Sequence, residues 1–348
     1  MEPNVLRSSC RQLNGREACC KRESAVRSLL RSGQRGNLQH RDLAPRVSMW
    51  YLYHDQQSWN SFPNASTRDS VAGEVEFRGM RLRGALRDAS DHDARWLFPP
   101  LEDTTFQDQL GEFGGLIALA NNEWLLHNDT QFVGISSLKR PVEPKVLGQL
   151  ARGALCKDKA AGSVFYYVTC CGEQGTDISG DLTRQQLPRG HTDFMDLFGL
   201  LHRVTRQQLG FELQTTRMPR GEPWSYKSAL LLPRAAFRGF ACFIRLIVAE
   251  ISRLHQPTGK CFLKANGVHM RQRCWSYLLE RTFNFWAYNA GYRLVYFAGL
   301  GGTAPQKAEL HRRGGAWEVY SGRSRRLDKG AVRTLRHCDT TVSLRKLC

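Results

Sequence analysis

Acidic residues are scarce in this chain of 348 residues: Asp and Glu number 32 against 50 Lys and Arg, a formal net charge of +18. A charge of that size invites a nucleic-acid reading, but its distribution speaks against one. Residues 1–46 hold ten Lys/Arg and four Asp/Glu, and residues 311–348 hold ten and three, so the ends carry +6 and +7 and residues 47–310 only +5. Basic excess in weakly patterned ends reads as solvated tails rather than as a binding face. Recognition motifs are missing as well: no Cys/His pairs at zinc spacing, no ribonucleoprotein aromatic signature, no heptads below a basic region. The nucleic-acid alternative, binding through the two ends, predicts affinity that falls steeply with salt.

Long hydrophobic runs are also absent. The most apolar stretch, residues 235–254, contains Arg238, Arg245, Glu250 and Arg253, each costly at a bilayer centre. It therefore reads as a buried helix, and no transmembrane span is expected. Near the N-terminus the apolar run from Ala25 to Leu30 is interrupted by Arg27, too short for a secretory signal, so the expectation is cytoplasmic. The eleven cysteines lack metal-knuckle spacing, since Cys19-Cys20 and Cys170-Cys171 are adjacent pairs. Cys242, Cys261 and Cys274 fall in apolar stretches and read as buried free thiols. A G-x-S-x-G elbow and an H-E-x-x-H helix are both missing, which removes two common hydrolase classes.

What is present suits a packed α/β domain. The chain is 41% hydrophobic with 17 Phe, 10 Tyr and 8 Trp, enough for a core and too much for full-length disorder. Residues 1–42, rich in Arg, Ser, Gln and Gly without periodicity, are expected to be a disordered basic extension, residues 43–310 the folded domain, and residues 311–348 a basic C-terminal tail. Strands are predicted at 47–53, within 72–84, and at 131–137, 163–169 and 292–297. Helices are predicted at 106–127, around 145–155, and at 191–209, 234–255 and 269–289. Strand, helix, strand, helix, strand predicts a mostly parallel sheet covered by helices, with a helical C-terminal half. The strands ending near 53, 137 and 169 are expected to be neighbours, because each is short, apolar and followed by a polar loop.

Such a sheet takes ligands at the C-terminal ends of its strands. His54, Asp55 and Ser58 follow the first strand and are candidates for nucleotide contacts. The stretch Phe132-Val133-Gly134-Ile135-Ser136-Ser137-Leu138-Lys139-Arg140 ends a strand in two hydroxyls and then two cations, a combination able to hold a diphosphate; the plainer alternative is a surface loop capped before Pro141. Asp91 and Asp93 have D-x-D spacing for a divalent cation, Mg or Mn, against which a solvated loop is weighed. Gly299-Leu300-Gly301-Gly302 reads as a turn, because no convincing helix follows it.

These residues also carry a resemblance. Gly111-Glu112-Phe113 at a helix start, the strand Val133-Gly134-Ile135-Ser136-Ser137-Leu138-Lys139-Arg140, the segment Trp224–Arg234 and the helix Arg273-Cys274-Trp275-Ser276-Tyr277-Leu278-Leu279-Glu280-Arg281 occur in order. Together they resemble a glycosyltransferase-like family of capsular polysaccharide synthesis type, whose hallmark strand reads Val-Gly-x-x-His-Tyr-Arg-Arg. The resemblance spans residues 47–297. It implies a GT-A or Rossmann-like fold, a nucleotide-sugar donor and a glycan or other hydroxyl acceptor. Here Ser137-Leu138 stand where the family has His-Tyr, and Lys139 stands for the first Arg, so any chemistry of that His is lost or supplied by another group. On this reading Lys139 and Arg140, with Ser137 and Arg281, clamp the diphosphate, while Asp55 and Glu112 are the carboxylates to test first as base or metal ligand, and Glu280, near the sugar or acceptor, acts as general base or holds hydroxyls. Glu280 and Arg281 also fit an ordinary polar helix face. The rival function is a catalytically inactive relative retained as a carbohydrate- or nucleotide-binding module.

Overall fold

The computed structural model describes residues 46–54, 75–137, 163–166, 169–170, 202–203, 205–207, 210, 224–225, 230–254, 263–265, 268–270, 274–297, 317–320, 333 and 336. Its centre is an eight-stranded sheet. The strands are β1 (Val47–Tyr53), β2 (Val75–Arg81), β3 (His92–Asp93), β4 (Phe132–Ser137), β5 (Ser163–Tyr166), β8 (Leu230–Pro233), β11 (Arg293–Phe297) and β12 (Trp317–Tyr320), in the order β12-β11-β5-β8-β4-β1-β2-β3. Strands β6 (Thr169–Cys170) and β7 (Trp224–Ser225) pair apart from it, as do β9 (Leu263–Ala265) and β10 (Val268–Met270). The helices are α1 (Ala94–Leu97), α2 (Thr104–Leu110), α3 (Glu112–Asn121), α4 (Arg234–Leu254) and α5 (Cys274–Asn289).

β1 pairs parallel with β2 and β4, β2 with β3, and β5 with β11. β8 lies antiparallel between β4 and β5, and β12 antiparallel beside β11. The sheet is thus mostly parallel, as expected, with one correction: the strands ending near 137 and 166 share a sheet but are separated by β8. Leu230-Leu231-Leu232-Pro233 is an apolar run of only four residues before a long helix. Nothing in its length distinguishes a strand from a lead-in to α4. Within the stretch expected as a C-terminal tail, β12 joins the sheet edge. Arg336 there donates to the Ala290 and Gly291 carbonyls at 2.7 and 2.8 Å, satisfying oxygens at the end of α5.

One face of the sheet, carrying Trp50, Leu52, Met80, Leu82, Val133, Ile135, Leu230 and Leu232, forms a single core with α3, α4 and α5. α4 contributes Phe237, Phe240, Ile244, Ile247 and Ile251, all fully buried and spaced three, four, three and four residues apart, the helical stripe. The other face, with Met49, Tyr51, Tyr53 and Leu231, is buried too, as a doubly covered parallel sheet requires. Gly134 is dictated by packing. A Cβ there would lie 1.9 Å from the Met49 sulfur, so the glycine lets Met49 cross onto β4.

The helix expected over 106–127 is broken. Gly111 takes φ +55° between α2 and α3, a conformation side chains resist, and α3 closes where Asn122 donates to the Ala118 and Leu97 carbonyls at 2.9 Å. Gly115 then allows a close approach, since a Cβ there would sit 2.9 Å from Leu52 and 3.1 Å from Leu82. Among the described residues no helix is long and apolar enough to cross a membrane.

Cys242, 1% exposed in α4, is disulfide-bonded, which corrects the free-thiol expectation for that residue. Alkylation of the denatured, unreduced chain followed by mass spectrometry should leave Cys242 unlabelled and label it only after reduction. Labelling without reductant would refute the bond.

Candidate functional site

From β1 the chain steps outward to β2 and β3 on one side, then returns to place β4 on the other. That reversal makes the C-terminal ends of β1 and β4 the topological switch point, where open α/β sheets leave a crevice. His54 follows β1 directly and is half-buried. Ser137 ends β4 in register with Leu52. Two of the expected site residues therefore lie at the switch point.

Helix starts converge on the same end. α3 leads through residues 122–131 to the beginning of β4, so its first turn, with half-buried Glu112, lies toward the end where β4 finishes. Ser276 in the first turn of α5 packs there too, its Cβ 3.3 Å from where a Gly111 Cβ would be. Trp275 meets Phe106 of α2 edge-on, with centroids 6.1 Å apart. Glu280 lies one turn along α5 from Ser276 and is half-buried. Asp55, Ser58, Lys139 and Arg140 lie outside the described residues, as do residues 299–302, and of Ser137 and Arg281 only the backbone positions are described.

Beside the switch point, on the face opposite α3, the ends of β1, β2 and β3 carry a buried charge lattice that sequence reasoning missed. Tyr53 donates to Asp91 Oδ2 at 3.0 Å and accepts the Arg87 backbone N–H at 3.1 Å. Arg87 grips Asp91 with two bonds, Nε to Oδ2 at 3.0 Å and Nη2 to Oδ1 at 2.7 Å. Asp93 receives Arg81, the Arg95 guanidinium at 2.9 and 3.1 Å, and the Arg95 backbone N–H at 3.0 Å, which caps α1. Gly79 makes room for Asp91, whose carboxylate occupies the space of a Cβ. Burial and the neighbouring Asp91 push the Tyr53 phenol above the ordinary tyrosine range, so it stays a donor. Burial alone would raise Asp93, but the bonds from Arg95 and Arg81 outweigh it and hold the carboxyl below its usual value.

The D-x-D pair is therefore neither a solvated loop nor loosely placed. Asp91 is 6% and Asp93 1% exposed, and a two-residue strand does deliver the motif to the sheet edge. Each carboxylate already accepts from guanidinium groups, which a divalent cation would have to displace. Among the described residues no group of three or more His, Cys, Asp or Glu is arranged to hold a metal ion. The signal available in the sequence was arginine spacing, four residues before Asp91 and two after Asp93.

In comparisons with known proteins, no family model matches the chain, and no curated protein matches it significantly.

Proposed function

We propose that the protein is a glycosyltransferase-like enzyme that moves a sugar from a nucleotide-activated donor to an acceptor hydroxyl, with the donor diphosphate held at the β1–β4 crevice. The observation that supports this is the switch point itself, where His54 and Ser137 lie at the C-terminal ends of the neighbouring strands β1 and β4, with Lys139 and Arg140 shortly after along the chain. Transfer requires the leaving diphosphate to be neutralised and the incoming hydroxyl deprotonated. Lys139 and Arg140, with Arg281, supply the charge. Glu112, at the head of α3, is the first carboxylate to test as base, followed by Asp55 and Glu280. Mg or Mn, where used, would share the diphosphate charge with these cations.

The second reading, an inactive module that binds the nucleotide or sugar, is favoured by two observations. Both D-x-D carboxylates are committed to arginines, and Ser137-Leu138 replace the hallmark His-Tyr.

Calorimetry with nucleoside diphosphates at fixed salt tests the clamp. Arg140→Ala should weaken binding about ten- to a hundred-fold, the loss of charge-assisted bonds worth roughly 1.5–3 kcal/mol. Arg140→Lys should recover only part, because the forked geometry is gone. Parent and variants binding equally would remove Arg140 from the site. Binding without hydrolysis or transfer of any nucleotide-sugar would favour the module.

A further inference from the structure

The helix-facing side of β1 and β2 changes character along its length. Toward the C-terminal ends it is apolar, with Leu52, Met80 and Leu82. Toward the N-terminal ends it is polar: Ser48 is the register partner of Glu76, and Trp50 of Arg78. Ser48 and Trp50 are both fully buried. Three polar atoms of this block, Ser48 Oγ, Trp50 Nε1 and Glu76 Oε2, are sealed from solvent with no hydrogen-bond partner. The rest of the block is well bonded. Arg78 lies 2.6 Å from Glu76 Oε1, donates to the Leu125 carbonyl at 3.0 Å and stacks over the Trp50 ring, while His127 Nε2 stands 3.7 Å from Glu76 Oε1.

Three bare polar atoms on adjacent positions of one sheet face would be a costly coincidence, since a buried polar atom left without a hydrogen bond loses its hydration with nothing in return. We infer that the block holds one bound water molecule between β1 and β2. The chemistry of the three atoms selects the occupant. Trp50 Nε1 only donates and Arg78 is adjacent, so a cation is opposed. The Glu76 carboxylate opposes an anion. A neutral molecule that donates and accepts satisfies all three: it accepts from the Trp50 N–H, donates to Glu76 Oε2 and makes its third bond with the Ser48 hydroxyl. Three bonds is the usual complement of a buried water. The site lies at the end of the sheet away from the β1–β4 crevice and is independent of the proposed activity.

Two measurements on the full chain test it. In proton NMR the Trp50 indole N–H, assigned by its loss in Trp50→Phe, should show a cross-peak to a long-lived water. Ser48→Ala reads the same site without that assignment and without a large change in volume. If water is bound, the substitution removes one of its bonds and the melting temperature falls by about 2–4 °C. If the hydroxyl is bare, removing it relieves a buried unsatisfied group and the melting temperature rises. Either a missing cross-peak at Trp50 or a raised melting temperature for Ser48→Ala overturns the assignment.

Discussion

Replacing Asp93 by Ala should destabilise the fold by about 3–5 kcal/mol, the cost of removing one partner from a buried ion pair. The side chain is fully buried and faces Arg81 and Arg95, so its loss leaves the Arg81 guanidinium, itself only 11% exposed, without its counter-charge. Arg81 keeps a single bond, to the Gly84 carbonyl at 2.8 Å, and a buried cation is poorly served by one carbonyl. Asp93 also caps α1. Asparagine caps as well as aspartate, so Asp93→Asn separates the two roles. It should restore about 1 kcal/mol relative to Ala, with the remainder of the loss assigned to charge. Urea denaturation of the three forms gives the comparison, and equal stability of parent and Asp93→Ala would show that the lattice contributes nothing net.

The same pair predicts a pH dependence with a definite sign. The carboxyl of Asp93 is depressed in the folded state, so the fold binds its proton less readily than the unfolded chain, whose aspartates titrate near about 3.9. Its stabilising contribution is therefore complete above that pH and is lost as pH falls through the folded value. Asp93→Asn should flatten the stability profile in that acid range, and an unchanged slope would remove Asp93 as its source.

The parallel strands were legible because their residues repeat a single message. Val47–Tyr53 is β-prone throughout and ends in a polar loop, and it forms a strand buried along its whole length. β8 was not legible, because four apolar residues before a helix carry no periodicity of their own. The crevice was half legible. That strand ends would flank it follows from α/β architecture, and His54 and Ser137 lie there. Which strands would be adjacent depends on the order in the sheet, a property of long-range pairing that local pattern does not encode. The charge lattice was illegible for a different reason. A D-x-D spacing is compatible with a cation or with arginines, and the choice depends on Arg81 of a neighbouring strand, twelve residues before Asp93 and beyond any local motif. Net charge misleads in a similar way. Part of the basic excess at the C-terminal end serves the fold, as Arg336 shows in holding the carbonyls after α5 and lying 4.6 Å over Tyr292.

Two tryptophans show where periodicity stops being a guide, and they carry the other large effect. Trp124 and Trp286 both fall on the apolar stripes of predicted helices, and by pattern alone both belong in the core. Trp286 is fully buried, while Trp124 is 74% exposed. The difference arises at Asn122, whose side chain takes the Ala118 and Leu97 carbonyls and ends α3 before its stripe reaches Trp124. Trp124 then sits on a single turn with only an exposed bond to Asn122 at 3.2 Å. α5 meets no such stop before Asn289, and Trp286 packs among Phe240 of α4, Phe283 one turn back and Tyr292 at the entry to β11, with ring centroids 5.2, 6.3 and 5.1 Å away. Trp286→Ala should therefore cost about 3–5 kcal/mol, the transfer term plus a cavity that three large rings cannot collapse to fill. Trp286→Phe, which keeps a ring against the same partners, should cost less than Ala. Trp124→Ala should stay within about 0.5 kcal/mol of the parent. Denaturant midpoints for the three variants decide it: comparable losses at positions 124 and 286 would mean that Trp124 is covered by a part of the chain or a partner that its exposure does not reveal.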